Sequence, residues 1–292
     1  MKALVGIESL ESVKSTLNML SRLQPRDFSV ELLHVQDAIQ SLPGYGLAPQ
    51  VDVPAGVIQD LERIGEQLLK EAEKEASQRS LPCTTKLAWG PVSGMLLSEA
   101  VSSGSELIAL HRRDISRLGR LFLGSLTRTA MVASKQSVLV TKGEVKPAGP
   151  VHAVFGLEHS QYCLKSLEVL EDFRFEGLKK LTFASAYQMH YLSDPDVLIP
   201  PPGDDDRQSV ASHLEVQARA VSERFERLGV ECDAIIEEGS ANKVLQHAMS
   251  KTGADLMIVG AQGHGFLEQL LIGSVALHQV AAEPYSVLVL RV

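Results

Sequence analysis

The residues best suited to chemistry lie between Asp255 and Val275. An apolar run, Leu256-Met257-Ile258-Val259, leads into Gly260-Ala261-Gln262-Gly263-His264-Gly265 and, after a short connection, into Gly273-Ser274-Val275. Gly260 and Gly263 let a backbone turn tightly and approach a ligand with no Cβ in the way. Gly273-Ser274 opens a helix, so backbone amides, a hydroxyl and the positive helix end meet at one point, as a phosphate requires. No Gly-Lys-Ser/Thr follows, which excludes a Walker loop, and the glycines miss the G-x-G-x-x-G register of dinucleotide folds. The spacing alone fits equally a plain strand–helix turn with Ser274 as an ordinary N-cap.

Catalysis finds little footing. The nine histidines show no metal-ligand spacing, and no serine or cysteine sits in a nucleophile motif, so neither a catalytic residue nor a metal site is assigned. His264, beside the glycines, suits a phosphate contact or a solvated loop better than polarisation of a γ-phosphate. Cys83, Cys163 and Cys232 are few, odd in number and without a C-x-x-C pair. They favour a reducing cytoplasm and exclude a disulfide framework.

The elements that must carry these residues occur twice. Lys2–Ser9 lies over His152–His159 at an offset of 150, and Gly104–Ala109 over Gly253–Ile258 at an offset of 149. Gly124-Ser125 falls on Gly273-Ser274, Ser137–Val140 on Ser286–Val289, and Cys83 on Cys232. An offset that drifts by one residue over a whole domain marks a duplication. The copies are expected to span 1–143 and 151–292, joined by the linker Gly143-Glu144-Val145-Lys146-Pro147-Ala148-Gly149-Pro150. In the first copy the short apolar runs are Ala3–Ile7, Val30–Val35, Thr84–Ala88, Leu107–Leu110 and Val138–Thr141. Between them Val13, Leu17, Leu20 and Leu23 recur at helical spacing, as do Ile58, Leu61, Ile64, Leu68, Ala72 and Ala76. Strands alternating with amphipathic helices predict an α/β fold of two tandem doubly wound domains, each a five-stranded parallel sheet with helices on both faces. Two long irregular loops are expected after the second strands, Asp37–Gly56 and Leu192–Arg207. The second is read as a solvated flap whose Asp204-Asp205-Asp206 run serves solubility.

With 36 acidic and 28 basic side chains the 292-residue chain carries a net charge of −8. The imbalance is uneven, +1 over residues 1–149 and −9 over 150–292. An acidic chain lacks the basic face that nucleic acid demands. No apolar run reaches the ~18 residues of a membrane span, and the opening Met1–Glu8 is too short and too soon charged for a signal peptide.

The pattern Gly260-x2-Gly263-x9-Gly273-Ser274, placed after an Asp-Leu-Met-Ile-Val strand, resembles the ATP-binding signature of the universal stress protein family. Glu238-Gly239-Ser240 before a helix and the closing strand Ser286-Val287-Leu288-Val289 reinforce it, and the likeness covers both copies. It implies a strand order of 3-2-1-4-5 in each domain, with ATP, carried with Mg²⁺, across the carboxyl ends of the strands. Carried over by position, Gly260 and Gly263 would meet ribose and phosphates, and Gly273 and Ser274 would hold the phosphates. His264, Gly265 and Val275 complete the phosphate side. Glu158 stands where the family usually has an aspartate, and Ser185 or Ala186 would offer backbone groups to adenine. In the first copy His111-Arg112-Arg113-Asp114 replaces the Gly-x-x-Gly, so that site is expected to be closed. Arg112, Arg113, Arg117 and Arg120 form a basic cluster that could hold another anion or meet the acidic second copy. The resemblance further implies an intrachain pseudo-dimer through the last strands, with pairing of whole chains into homodimers left open. The functional expectation is a cytoplasmic, ATP-binding, regulatory stress-response protein. The alternatives are a slow ATPase or nucleotidyl transferase, and an interaction scaffold that binds nothing.

Overall fold

The computed structural model describes residues 1–37, 55–112, 124–189, 203–262 and 272–292. The first half runs β1 (Lys2–Gly6), α1 (Leu10–Leu23), β2 (Ser29–Gln36), α2 (Ala55–Gln78), β3 (Cys83–Trp89), α3 (Val92–Ser102), β4 (Leu107–Arg112), α4 (Ser125–Ala133) and β5 (Ser137–Lys142). The second half runs β6 (Val151–Gly156), α5 (Gln161–Phe173), β7 (Leu178–Tyr187), α6 (Asp204–Glu226), β8 (Glu231–Glu238), α7 (Ala241–Thr252), β9 (Leu256–Gly260), α8 (Ser274–Ala282) and β10 (Ser286–Leu290).

All ten strands form one sheet of order β3-β2-β1-β4-β5-β10-β9-β6-β7-β8. Each half has the order 3-2-1-4-5, parallel throughout, and its central strands are continuously apolar because both faces are covered. Val5 of β1 faces one layer and Leu4 the other. One layer is built from α1, α2, α5 and α6, the other from α3, α4, α7 and α8. The halves join where β5 and β10 pair antiparallel, Val140 opposite Val287, Leu139 opposite Leu288 and Val138 opposite Val289. Each strand is apolar to its end and would otherwise leave an open edge. The halves thus form the expected pseudo-dimer, with both core layers running across the seam.

The segment read as a linker is pinned. Ser15, Asn18 and Arg22 lie on one face of α1 at helical spacing. Ser15 Oγ donates to the Gly143 carbonyl (3.0 Å), Asn18 Nδ2 to that of Val145 (2.7 Å), and Arg22 to those of Gly149 (3.1 Å) and Pro150 (2.7 Å). Arg22, 4% exposed, also pairs with Asp255 of the second half at 2.9 Å. The Asp204-Asp205-Asp206 run, expected within a loop, forms the first turn of α6, with Asp206 Oδ2 accepting from the Gly203 amide at 3.0 Å. Acidic residues are favoured there by the positive end of the helix. The rest of that loop and most of Asp37–Gly56 lie outside the described residues.

Candidate functional site

At the carboxyl ends of β6 and β9 the second half holds a cavity of about 270 Å³. Its floor is apolar, with Leu157, Ala184, Leu245, Val259 and Ala276; its rim carries Glu158, Gln262 and Ser274. The position follows from topology. β6 and β9 are neighbours whose crossovers leave on opposite sides, so a crevice opens beyond their ends.

Each rim residue is placed by an adjoining element. Glu158 follows β6, and its carboxylate accepts a 2.6 Å bond from Ser160 Oγ. Ser160 is in turn the N-cap of α5, its Oγ accepting from the Cys163 amide at 3.0 Å. A serine that caps a helix therefore also fixes the carboxylate. Ser274 begins α8, where Leu277 is the first residue to donate back along the helix, to Gly273. The amides of Ser274, Val275 and Ala276 precede that ladder and stand at the positive helix end beside the cavity.

Six of the nine sequence-derived residues are described; Gly263, His264 and Gly265 lie outside the described residues. Glu158, Gly260, Gly273, Ser274 and Val275 converge on the cavity. Of Ser185 and Ala186, either of which was expected to offer backbone groups, Ala186 lines it and the Ser185 side chain turns away. The side chains of β7 alternate, so Ala184 and Ala186 line the cavity while Ser185, 1% exposed, is spent on the Leu157 carbonyl (3.0 Å) and His159 Nε2 (3.1 Å). Gly273 offers no free amide, because its N–H donates to the Ala261 carbonyl at 2.7 Å. Gly260 also answers to α5: a Cβ there would meet Ser166 Oγ at 3.0 Å, the Gln262 carbonyl oxygen at 3.4 Å and Tyr162 Cε1 at 3.4 Å.

The same geometry can be followed in the first half. His111 occupies the position of Gly260, and its side chain likewise points to the α1 layer. There its Nδ1 lies 3.1 Å from Thr141 Oγ1, which lies 2.9 Å from Thr16 Oγ1. The ring is held by these hydroxyls, and the described residues border a cleft of about 650 Å³ there, lined by Glu8, His111, Arg112, Gly124 and Ser125 among others. Asp114 and the arginines at 113, 117 and 120 lie outside the described residues. Arg112, read in the sequence as part of a basic cluster that could meet the second half, reaches it: its Nη1 donates to the carbonyls of Val280 (3.0 Å) and Ala281 (2.6 Å) at the end of α8. No periodicity marks a contact between residues so far apart in the chain.

The cysteines carry packing. Cys163 borders the cavity at 2% exposure, and burial pushes its thiol up to about 11; burial does the same to Cys232, also to about 11. Among the described residues no group of His, Cys, Asp and Glu is arranged to hold a metal, and no helix is long and apolar enough to cross a membrane.

The chain is similar over nearly its whole length to three solved structures. A universal stress protein from Archaeoglobus fulgidus DSM 4304 has 15% identity and a TM-score of 0.68, the match covering 99% of this chain and 98% of that one. A functionally unknown protein from Pseudomonas aeruginosa PAO1 has 16% identity and a TM-score of 0.62, with 99% and 92% covered. A putative universal stress protein from Pseudomonas aeruginosa UCBPP-PA14 has 16% identity and a TM-score of 0.60, with the same coverage. At these identities the likeness establishes the fold. A search of curated proteins finds no match. The sequence model of the universal stress protein family matches residues 1–142 and again 176–291. With two matched segments, two 3-2-1-4-5 halves and one antiparallel seam, this chain belongs to the universal stress protein family as a tandem two-domain member.

Proposed function

We propose that the second domain, residues 151–292, binds ATP in the cleft between β6, β9 and α8, and that the protein is a regulatory stress-response module whose state follows nucleotide occupancy. The observation that carries this reading is the convergence on one cavity of a carboxylate, an apolar floor and the unladdered amides of α8. The floor near Ala184 and Ala186 suits a flat base, and the Glu158 carboxylate suits a ribose hydroxyl. The amides of Ser274, Val275 and Ala276 suit phosphate oxygens. The cavity lies close to the lower end of the roughly 300–1,000 Å³ of small-molecule pockets. It matches the nucleoside part, with the phosphates running out along the start of α8. Mg²⁺ accompanies the nucleotide in this reading, because it neutralises part of the triphosphate charge in a half carrying −9.

The Glu158 carboxylate at the cavity is engaged by Ser160, and binding rather than turnover is the reading advanced. Native mass spectrometry of the purified protein tests it. A retained adenine nucleotide is expected. Recovery of the bare chain after incubation with Mg-ATP at concentrations well above the micromolar range would contradict it, and steady release of phosphate would favour a slow ATPase.

A further inference from the structure

We infer that Arg112 of the first half is a positioning residue for the second half's nucleotide site, acting through α8. The inference rests on the reading that this cleft holds ATP. It starts from a motif that reading leaves unexplained, the His111-Arg112-Arg113-Asp114 that stands in the first half where the second has Gly260-Ala261-Gln262-Gly263.

Arg112 ends β4, directly opposite Lys142 at the end of β5 in the parallel register. Both side chains leave the first half on the α4/α8 side of the sheet and converge on the C-terminal turn of α8. Arg112 Nη1 donates to the Val280 and Ala281 carbonyls, and Lys142 Nζ donates to those of Gln279 (3.0 Å) and Glu283 (2.8 Å). The last carbonyls of a helix have no partners within it, and cations there also complement its negative end. Two cations from the other half thus anchor one end of a nine-residue helix, roughly 14 Å long. Its other end presents Ser274, Val275 and Ala276 to the cavity.

The anchor is asymmetric. Lys142 has a counterpart in Arg291, whose Nη2 donates to the Met131 carbonyl near the end of α4. Arg112 has none: Ala261, fully buried, holds its place in the second half and cannot reach α4. The substitution that takes the first half away from the glycine pattern therefore supplies a strut to the helix that meets the phosphates in the second. α8 thus receives two cations from the first half, which takes part in the second half's site without touching its ligand.

The test compares ATP with adenosine on the full chain by calorimetry. Only ATP carries phosphates to the start of α8, so a positioning effect must separate the two, which a general loosening of the domain would not do. Arg112→Met is expected to weaken ATP binding about tenfold, within the usual range of site-to-site coupling, while leaving adenosine affinity unchanged. Arg112→Lys should recover most of the loss. Hydrogen exchange should quicken in α8 and not in α7. Arg112→Gln, which keeps a shorter donor, is expected to show the same split in smaller measure and decides the matter if the methionine variant does not fold. Unchanged ATP affinity, or equal losses for ATP and adenosine, would overturn the inference while leaving the nucleotide site standing. A wild-type chain that binds no ATP would overturn both.

Discussion

Lys142 and Arg291 stand 149 residues apart at equivalent positions, and each sends its cation across the β5–β10 seam to a helix end in the other half. Their amides follow the same exchange. Lys142 N donates to Ser286 Oγ at 3.2 Å, and Arg291 N to Ser137 Oγ at 3.1 Å. The seam is therefore apolar along its strands and tied at each end by a buried, charge-assisted contact. Lys142 is 7% exposed, as is Arg291.

Replacing Lys142 by methionine keeps most of the apolar stem but strands the carbonyls of Gln279 and Glu283. Losing a charge-assisted hydrogen bond with its partner left buried costs about 2 kcal/mol. Urea denaturation should show a correspondingly lower midpoint with an unchanged slope. A midpoint equal to that of the wild type would mean that water satisfies α8 equally well.

Gly177 is a further point of contact between the halves. Its amide donates to the Leu23 carbonyl at 2.9 Å, and a Cβ there would lie 1.7 Å from the Arg22 carbonyl oxygen. That obstacle is backbone, so it cannot rotate away. Gly177→Ala should cost about 3 kcal/mol, at the upper end of overpacking effects, and thermal melting of the variant checks it. Near-native stability would show that the end of α1 can shift freely from the second half.

A stability profile against pH should bear the mark of His152. Burial, aided by the nearby Lys180 charge, holds its imidazole below the ordinary 6.5, and Nε2 sits 3.0 Å from Thr182 Oγ1. The folded chain therefore binds fewer protons than the unfolded one below 6.5. The contribution is complete above that pH and is lost progressively as the pH falls beneath it. His152→Gln should flatten the profile between pH 7 and the acid limb. An identical slope in both proteins would assign the dependence to other groups.

Thiol chemistry separates packing from redox roles. With Cys163 and Cys232 each held near 11 by burial, little thiolate exists at pH 8. Iodoacetamide should label both far more slowly in the native protein than in urea. Rapid native labelling of Cys163 would show that the cavity floor opens.

Much of this architecture was legible in the sequence, for identifiable reasons. The duplication shows because Gly253–Ile258 and Ser286–Val289 repeat strands whose burial permits few substitutions. The pairing of β5 with β10 was implied by the family resemblance, and the apolar residues of both strands agree with it. What sequence reasoning missed lies at single-residue resolution. Ser185 and Ala186 could not be told apart as cavity-lining residues, because strand phase inverts with a shift of one residue. That a Cβ at Gly260 would also crowd Ser166 is not visible in the glycine spacing. Gly143–Pro150 has a linker's composition, yet three side chains of α1 hold it. The charge of Arg112 suggested a contact with the acidic half, but its target, the carbonyls at the end of α8, carries no local signature.

The cavity itself offers a direct block. Ala186 lines it, half-exposed, at the end of β7. Ala186→Trp would fill the space assigned to the base while disturbing little core packing. Calorimetric titration of the full chain with Mg-ATP, on the wild type and this variant together, tests the central claim most directly. The account predicts one ATP per wild-type chain and none detectable in the Ala186→Trp protein with its circular dichroism unchanged. Unaltered ATP binding by the variant, or binding that survives there and is lost instead when the first-half cleft at Glu8 and Ser125 is blocked, would contradict it.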